Sequence, residues 1–220
     1  MNIEIFSYRY AQEILEHEYY KDAYDEIIKI CEDCPLPMYK NKSKSQPKLD
    51  IVQQVINTYF RLAFTDIGWE KEPYVSPEDK KDSLRGDFRK KFVKKITSTE
   101  EKTITLQIEV EMGNIASSYR NYFKFQLSYG YNLTNIGILI LPCDKLSKRI
   151  DSGVASFEKT VREIPSADLS ITVPILVIGL NDNGATEIDI KAIESNLKIV
   201  QGKGNKHKEE HNKLVRKIMI

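Results

Sequence analysis

The sequence predicts a single α/β domain built around a mixed sheet. Two short runs, NIGILIL at 135–141 and VPILVIGL at 173–180, are apolar on both faces, which is typical of central strands. A third run, TITLQIEVEM at 103–112, alternates apolar and polar residues as a strand does. Helices alternate with strands in the second half of the chain, and this order favours an α/β core. A length of 220 residues suits one domain with a sizeable core.

The first half of the chain predicts one strand, two helices and a loop. MNIEIF at 1–6 is a candidate strand, and residues 10–31 place apolar side chains at helical spacing. Residues 34–50 combine prolines, serines and lysines, so we expect a flexible basic loop there. A second helix follows this loop and is predicted to end at Gly68.

The second half adds strands, helices and a tail. Residues 84–96 predict a strand with a heavily basic face, which precedes the alternating strand at 103–112. A helix is predicted after Gly113 to about residue 128, and a further amphipathic helix at 143–164. Residues 201–220 are polar and basic, and we interpret them as a C-terminal tail.

The composition argues against several classes of protein. A formal net charge of +1 disfavours a purely electrostatic nucleic-acid binder, although a local basic surface remains compatible with it. No apolar run is long enough to span a bilayer, and the N-terminal residues lack the features of a signal peptide. Three cysteines do not make a disulfide framework, so we expect a reducing, cytoplasmic location.

Two glutamates stand side by side at the end of the alternating strand. Residues i and i+2 of a strand share a face, so Glu109 and Glu111 project together about 7 Å apart. Two such carboxylates repel each other unless a cation neutralises them, and Mg²⁺ prefers oxygen ligands. Asp87, in RGDF on the preceding strand, could supply a third carboxylate. Basic residues that would meet a polyanion surround this position: Arg85, Arg89, Lys90, Lys91, Lys94 and Lys95. The arrangement fits a metal-activated water that attacks a phosphodiester in line.

A simpler interpretation of the same strand stays open. Alternating Thr, Gln and Glu on one strand face is most often a solvated face that pairs with lysines of the next strand. In that case Glu109 and Glu111 would have no chemical role.

Longer stretches of the chain resemble a known family. DF, a spacer and then IEVEMGNIASSYRN resemble the BamHI/BglII/BstYI group of type II restriction endonucleases, members of the PD-(D/E)XK nuclease superfamily. NIGILILPCDKLSKRIDSGVASFE and VPILVIGL are similar to the next strand, helix and strand of that group, and MNIEIFSYRYAQEIL to its N-terminus. The resemblance covers most of the first 180 residues. It implies a single endonuclease domain over 1–220, with a central mixed sheet of five to six strands flanked by helices.

The resemblance assigns a role to each carboxylate. Asp87, Glu109 and Glu111 would be the metal-binding and catalytic carboxylates, and the carbonyl of Val110 would join them as a ligand. Glu111 would hold or deprotonate the attacking water, where most of the superfamily uses Lys. A further active-site Glu of the group corresponds to Glu70 or Glu72. Spacing does not choose between these two, and an ordinary solvated helix end is the alternative for both.

Residues that would read DNA follow the strand. By resemblance, the start of the helix after Gly113 faces the major groove and carries Asn114, Ser117 and Arg120. Asn pairs with adenine and Arg with guanine, each discriminating by about 1–3 kcal/mol. Asn114 could instead only cap the helix. Ser152 and Gly153 would lie at the outer base pairs.

The resemblance also implies the biological unit and the reaction. We expect a homodimer that binds double-stranded DNA, uses Mg²⁺ (with Mn²⁺ able to substitute) and cuts a palindrome with a GATC-like core. Cleavage would leave 5′ four-base overhangs, and a cognate DNA methyltransferase would be a genetic rather than a physical partner. The alternatives are a non-restriction nuclease of the superfamily, a DNA-binding protein without cleavage and a regulatory module.

Overall fold

The computed structural model describes residues 1–77, 83–167 and 170–219. Eight strands are present in these ranges: β1 (Asn2–Tyr8), β2 (Leu36–Met38), β3 (Glu70–Lys71), β4 (Phe88–Lys95), β5 (Glu101–Val110), β6 (Ile136–Pro142), β7 (Ile175–Asn181) and β8 (Glu187–Asp189). Six of them form one sheet in the order β1-β7-β6-β5-β4-β3, and β2 pairs with β8. Strands β5, β6 and β7 run parallel, while β1, β4 and β3 are antiparallel to their neighbours. The predicted mixed sheet of an α/β fold is therefore confirmed.

Helices cover both faces of this sheet. In the described ranges they are α1 (Ala11–Leu15), α2 (Lys21–Glu32), α3 (Gln53–Asp66), α4 (Ile115–Gly130), α5 (Asp144–Ile150), α6 (Phe157–Glu163), α7 (Ile190–Ile193), α8 (Leu197–Val200) and α9 (Lys208–Ile218). Short 3-10 helices lie at Ile164–Ala167 and Asn205–His207. None of the described helices is long and apolar enough to cross a membrane.

The central strand β6 divides the core into two layers. Ile138 and Ile140 belong to a large apolar cluster that includes residues of α2 and α3, whereas Leu139 and Leu141 belong to a second cluster with residues of α4 and α6. Successive side chains of a strand point to opposite faces, so a strand buried on both faces is apolar throughout. This burial explains the run NIGILIL.

Two predicted helices are each split in two. Residues 10–31 form α1 and α2, because α1 packs on β1 and β7 while α2 packs on β1 and α3. Residues 143–164 form α5 and α6, separated by a segment in which Gly153 has a φ of +76°. That segment pairs with the start of α4, since Ile115 N donates to Gly153 O and Ala155 N to Gly113 O, at 2.9 and 3.1 Å.

The predicted loop and tail both contact the rest of the domain. Segment 34–50 contains β2, and Lys42 donates its ammonium group to the carbonyls of Ile51 and Ile150. Segment 201–220 contains α9, which packs on α3 through a hydrogen bond of 2.9 Å between His211 Nε2 and Thr58 Oγ1. Both segments are thereby tied to the core by side-chain contacts.

Candidate active site

The face of β5 that carries Glu109 is covered by helix α4. Gln107 is 0% exposed and Glu109 is 1% exposed, and Gln107 Nε2 donates to Glu109 Oε1 at 3.0 Å. The interpretation of this strand face as solvated is therefore wrong for both residues. A carboxylate buried to this degree requires a compensating charge or a proton.

Asp87 stands directly before β4 and next to Glu109. The register pairs Phe88 with Ile108, which places Asp87 opposite Glu109 beyond the end of β4. There the Val110 N–H donates to Asp87 Oδ2 at 2.8 Å, so the side chain replaces the next backbone acceptor of the ladder. Because the N–H and C=O of one strand residue point to the same side, the Val110 carbonyl faces the Asp87 side as well.

Gly86 makes room for these carboxylates. A Cβ atom at this position would lie 3.0 Å from both Glu109 Oε1 and Gln107 Nε2. Because that distance is tighter than an ordinary contact, a side chain at Gly86 would require Gln107 and Glu109 to shift by a few tenths of an ångström. In the RGDF sequence, Asp87 thus supplies one carboxylate, and the adjacent Gly86 leaves the space that the Glu109 carboxylate occupies.

Glu111 lies just beyond the end of β5 and points toward the start of α4. Its backbone N–H still donates to Ile140 O at 2.8 Å, which holds the residue in line with the sheet. Its carboxylate accepts hydrogen bonds from Gly113 N at 2.9 Å and from Asn121 Nδ2 at 3.2 Å. Both oxygens are therefore oriented by neighbouring donors.

All three carboxylates have raised pKa values. Burial raises the pKa of Glu109 to about 8, and the nearby Asp87 acts in the same direction, whereas Lys124 opposes it. Burial also raises the pKa of Asp87, against the lowering effect of the Val110 hydrogen bond. The pKa of Glu111 is raised by burial too, despite its bonds from Gly113 and Asn121. A cluster of three carboxyl groups with raised pKa values strongly favours the binding of a cation.

Lys124 is a site residue that the sequence analysis missed. Its Nζ lies 2.6 Å from Glu109 Oε2, and the two side chains are 15% and 1% exposed. A polar stripe on α4 was the available signal, because Asn121, Lys124 and Ser128 recur at helical spacing on a helix that otherwise buries apolar residues. Asn121 and Ser128 are indeed buried, so this stripe faces the sheet.

The donors present have the chemistry of a divalent-metal site. Asp87, Glu109, Glu111 and the Val110 carbonyl offer the hard oxygen ligands that Mg²⁺ prefers. Within the described ranges no three Asp, Glu, His or Cys side chains are grouped as a metal cluster, since Glu109 is turned to Lys124 and Glu111 to Asn121. The residues lie on one cleft of about 440 Å³, lined by Ser83, Leu84, Arg85, Asp87, Glu109, Val110, Glu111, Arg120, Asn121 and Lys124.

Comparison with known proteins assigns the family. The model of the family described as restriction endonuclease BglII/BglIII matches residues 3–180. The chain belongs to this family. It is accordingly a type II restriction endonuclease, and enzymes of this type generally use divalent metal ions. The resemblance found in the sequence is confirmed.

Solved structures agree with this membership at the level of the fold. The crystal structure of restriction endonuclease BglII complexed with a DNA 16-mer superimposes with a TM-score of 0.62 at 18% identity, covering 83% of this chain and 77% of BglII. The crystal structure of free BglII gives a TM-score of 0.51 at 17% identity, covering 82% of this chain and 79% of that one. A search among curated protein sequences found no match.

The two candidates for a fourth carboxylate of this BglII/BglIII-family chain lie in different surroundings. Glu70 forms an ion pair of 3.1 Å with Arg89 across β3 and β4. Glu72 has a left-handed φ of +53°, donates its N–H to Asp87 O at 2.9 Å, and lines a cleft of about 220 Å³ together with Asp87 and Val110. Both lie after the end of α3, Glu70 in β3 and Glu72 just beyond it, and their side chains are 57% and 58% exposed.

The structure brings most of the predicted DNA-reading residues together. Asn114 is exposed and caps α4, because its Oδ1 accepts from Ala116 N at 2.8 Å. A β-bridge joins Asn114 to Val154, which puts Ser152 and Gly153 beside the start of α4. Arg120 is exposed one and a half turns further along the same helix. Ser117 also lies on α4, and its side chain is outside the described part of the structure.

The basic residues in and just before β4 are largely paired within the chain. Arg89 contacts Glu70, Lys90 contacts Glu26 at 2.9 Å and Lys94 contacts Asp22 at 2.7 Å. Arg85 stacks on the Tyr74 ring, with its Cζ atom 3.8 Å from the ring centroid. These residues hold β4 against α2 and β3, so most of the expected polyanion-binding residues have an internal partner.

Proposed function

We propose that this chain is a homodimeric, magnesium-dependent endonuclease that cuts double-stranded DNA at a short palindromic site. The observation that carries this proposal is the group Asp87, Glu109 and Glu111, whose pKa values are all raised in one cleft. The same cleft reaches Arg120 on α4, the helix whose start carries Asn114. The residues proposed to hold the metal and those proposed to read bases thus lie on adjoining elements.

Five oxygen donors have roles in the proposed reaction. Asp87, Glu109 and the Val110 carbonyl would hold Mg²⁺ or Mn²⁺, and a bound divalent ion supplies a Lewis acid for the phosphate oxygens and a water of lowered pKa. Glu111, oriented by Gly113 and Asn121, accepts the proton of the attacking water at its carboxylate. Glu72, which borders Asp87, is assigned as the fourth carboxylate in place of Glu70.

Sequence recognition is assigned to the start of α4 and the segment that pairs with it. Asn114, Ser117 and Arg120 would enter the major groove, with Asn114 facing an adenine and Arg120 a guanine. Ser152 and Gly153, next to Asn114, would lie at the outer base pairs. A GATC-like core within the palindrome is the expected site.

A second copy of the chain completes the proposed unit, since a palindrome is matched by a two-fold dimer in which each subunit cuts one strand. Helix α4 supports this arrangement, because Tyr119 and Phe123 are 48% and 59% exposed on its outer side. Large apolar side chains exposed together mark interaction surfaces. Staggered cuts by the two subunits would leave 5′ four-base overhangs, and a methyltransferase gene is the expected genetic partner.

The deciding experiment is digestion of long unmethylated DNA with Mg²⁺, Mn²⁺ or EDTA, followed by sequencing of the fragment ends. Glu111→Ala is the matched variant, and it should bind the site without cutting it. Discrete metal-dependent fragments with one common end sequence would support the proposal and give the site and the overhang directly. Random nicking would move the function to a non-specific nuclease, and binding without cleavage would leave only a DNA-binding protein.

A further inference from the structure

We propose that Lys124 receives the scissile phosphate: its ammonium group neutralises Glu109 and so lets a DNA phosphate enter a cleft lined by three carboxylates. This role rests on the proposed function, because it requires DNA in the cleft. Lys124 would be a phosphate-binding residue supplied by α4, outside the strand motif that carries the carboxylates.

The position of Lys124 is fixed from both sides. Its Nζ contacts Glu109 Oε2 at 2.6 Å, and the side chain is 15% exposed. Its neighbour on α4, Phe125, is 0% exposed and Asn121, one turn earlier, is 5% exposed, so this part of the helix cannot rotate away from the sheet. Lys124, held against Glu109, therefore lines the cleft.

The other cations of the cleft do not replace Lys124. Arg85 donates to Glu72 O at 3.1 Å and stacks on Tyr74, which directs its guanidinium toward the β3 region. Arg120 is exposed at the rim. Among the described residues that line the cleft, Lys124 is the cation in contact with a carboxylate.

A phosphate that approaches Asp87, Glu109 and Glu111 meets charges of its own sign. Like charges brought together in a partly desolvated cleft oppose binding, and a cation between them removes this opposition. Lys124 can pair with Glu109 and a phosphate oxygen at once, because an ammonium group has three donors. If Lys124 were purely a structural counter-ion for Glu109, its loss would instead change DNA affinity to the same extent whether the phosphate is charged or neutral.

The test is a two-way comparison of DNA binding in EDTA, so that it needs neither metal nor cleavage. The DNA is the site identified by end sequencing, with either a natural phosphate or a neutral methylphosphonate at the scissile position. Lys124→Met should weaken binding of the natural DNA about tenfold and leave binding of the methylphosphonate DNA unchanged. Lys124→Arg should restore most of the loss, and Lys29→Met, in an exposed pair with Asp33, is the charge-matched control.

Each other result has a distinct meaning. Equal weakening on both DNAs would make Lys124 a structural residue, and no weakening on either would show that the phosphate does not reach it; both overturn the proposal. If Lys124→Met does not fold, the comparison is made between Glu109→Gln and Glu109→Gln/Lys124→Met. In the Glu109→Gln background the partner of Lys124 is uncharged, so removal of Lys124 leaves no buried carboxylate without a counter-ion. Absence of sequence-specific binding by the unaltered protein would overturn the proposed function itself, a result separate from any effect of Lys124.

Discussion

Asp87 and Val110 are joined by a hydrogen bond of 2.8 Å that runs from a backbone N–H to a carboxylate oxygen. The bond closes the β4–β5 ladder at the point where β4 has already ended, so Asp87 serves the fold as an acceptor. The same carboxylate borders both the cleft of Glu109 and the cleft of Glu72. Its structural role and its chemical role can be separated, because only the second requires charge.

Asp87→Asn should abolish cleavage and leave the fold intact. An asparagine Oδ1 still accepts from Val110 N, whereas the charge needed for metal binding is lost. Since burial raises the pKa of Asp87, the neutral side chain should be no less stable than the carboxylate in metal-free protein. We expect a rate loss of at least about 10²-fold in single-turnover cleavage. Asp87→Ala, which also loses the acceptor, should cost a further 0.5–1.5 kcal/mol of unfolding free energy, roughly. A cleaving Asp87→Asn variant would remove Asp87 from the site.

The raised pKa of Glu109 predicts how the stability of the metal-free protein depends on pH. The folded pKa of about 8 lies above the reference value of 4.5, so the folded state binds this proton more tightly than the unfolded state does. The resulting stabilisation is fully present below about pH 4.5 and is lost as the pH rises through about 8. Asp87 and Glu111 act in the same direction, because their pKa values are raised too.

The measurement is thermal unfolding in EDTA between pH 5 and pH 9, where Tm should fall as the pH rises. Glu109→Gln should flatten this dependence, and the exposed Glu100→Gln should not. Added Mg²⁺ should raise Tm more at high pH than at low pH, since the metal competes with protons for the same oxygens. A Tm that rises with pH across this range would contradict a raised pKa of Glu109.

The strand that carries the site could be predicted from the sequence, but its partners could not. The two-residue alternation of 103–112 was sufficient to place Glu109 and Glu111 on one face, and RGDF pointed to Asp87 on the neighbouring strand. Whether that face is exposed to solvent or buried depends on how α4 packs against it. The sequence of β5 alone does not contain this information. The contact of Lys124 with Glu109 joins residues 15 positions apart on different elements. The polar stripe of α4 indicates that Lys124 faces the sheet but does not identify the carboxylate that it contacts.

The break in the helix predicted over 143–164 had the same cause. Residues 143–164 keep a helical period through Gly153, yet the segment pairs with Gly113 and Ile115 instead. This long-range pairing outweighs local helix propensity, which is a weak determinant by comparison. It also brings Ser152 and Gly153 to Asn114, whereas the resemblance had assigned these residues to DNA reading without predicting that they are neighbours.

Glu72 and Glu70 form a matched pair for a test of the fourth carboxylate. Glu72→Gln should reduce single-turnover cleavage by at least about 10²-fold, because Glu72 borders Asp87. Glu70→Gln should leave the rate unchanged, since Glu70 pairs with Arg89 and, unlike Glu72, does not line the cleft that contains Asp87. The two variants remove the same charge two residues apart, so a general electrostatic effect would lower both rates alike. The reverse order of effects would assign the role to Glu70.

Helix capping and base recognition, the two roles considered for Asn114, can be tested separately by substitution. Its Oδ1 caps α4 through Ala116 N, and a bidentate pair with adenine would use both the oxygen and the amide nitrogen. Asn114→Ser keeps a capping oxygen without the amide, whereas Asn114→Ala removes both and should cost about 1 kcal/mol of stability. We expect both variants to lose discrimination between the cognate site and sites with one substituted base pair, by about 1–3 kcal/mol. Binding to a panel of such sites, measured in EDTA beside thermal unfolding, distinguishes the roles. Full discrimination by Asn114→Ser, with lowered stability in Asn114→Ala alone, would show that Asn114 is a cap and does not read DNA.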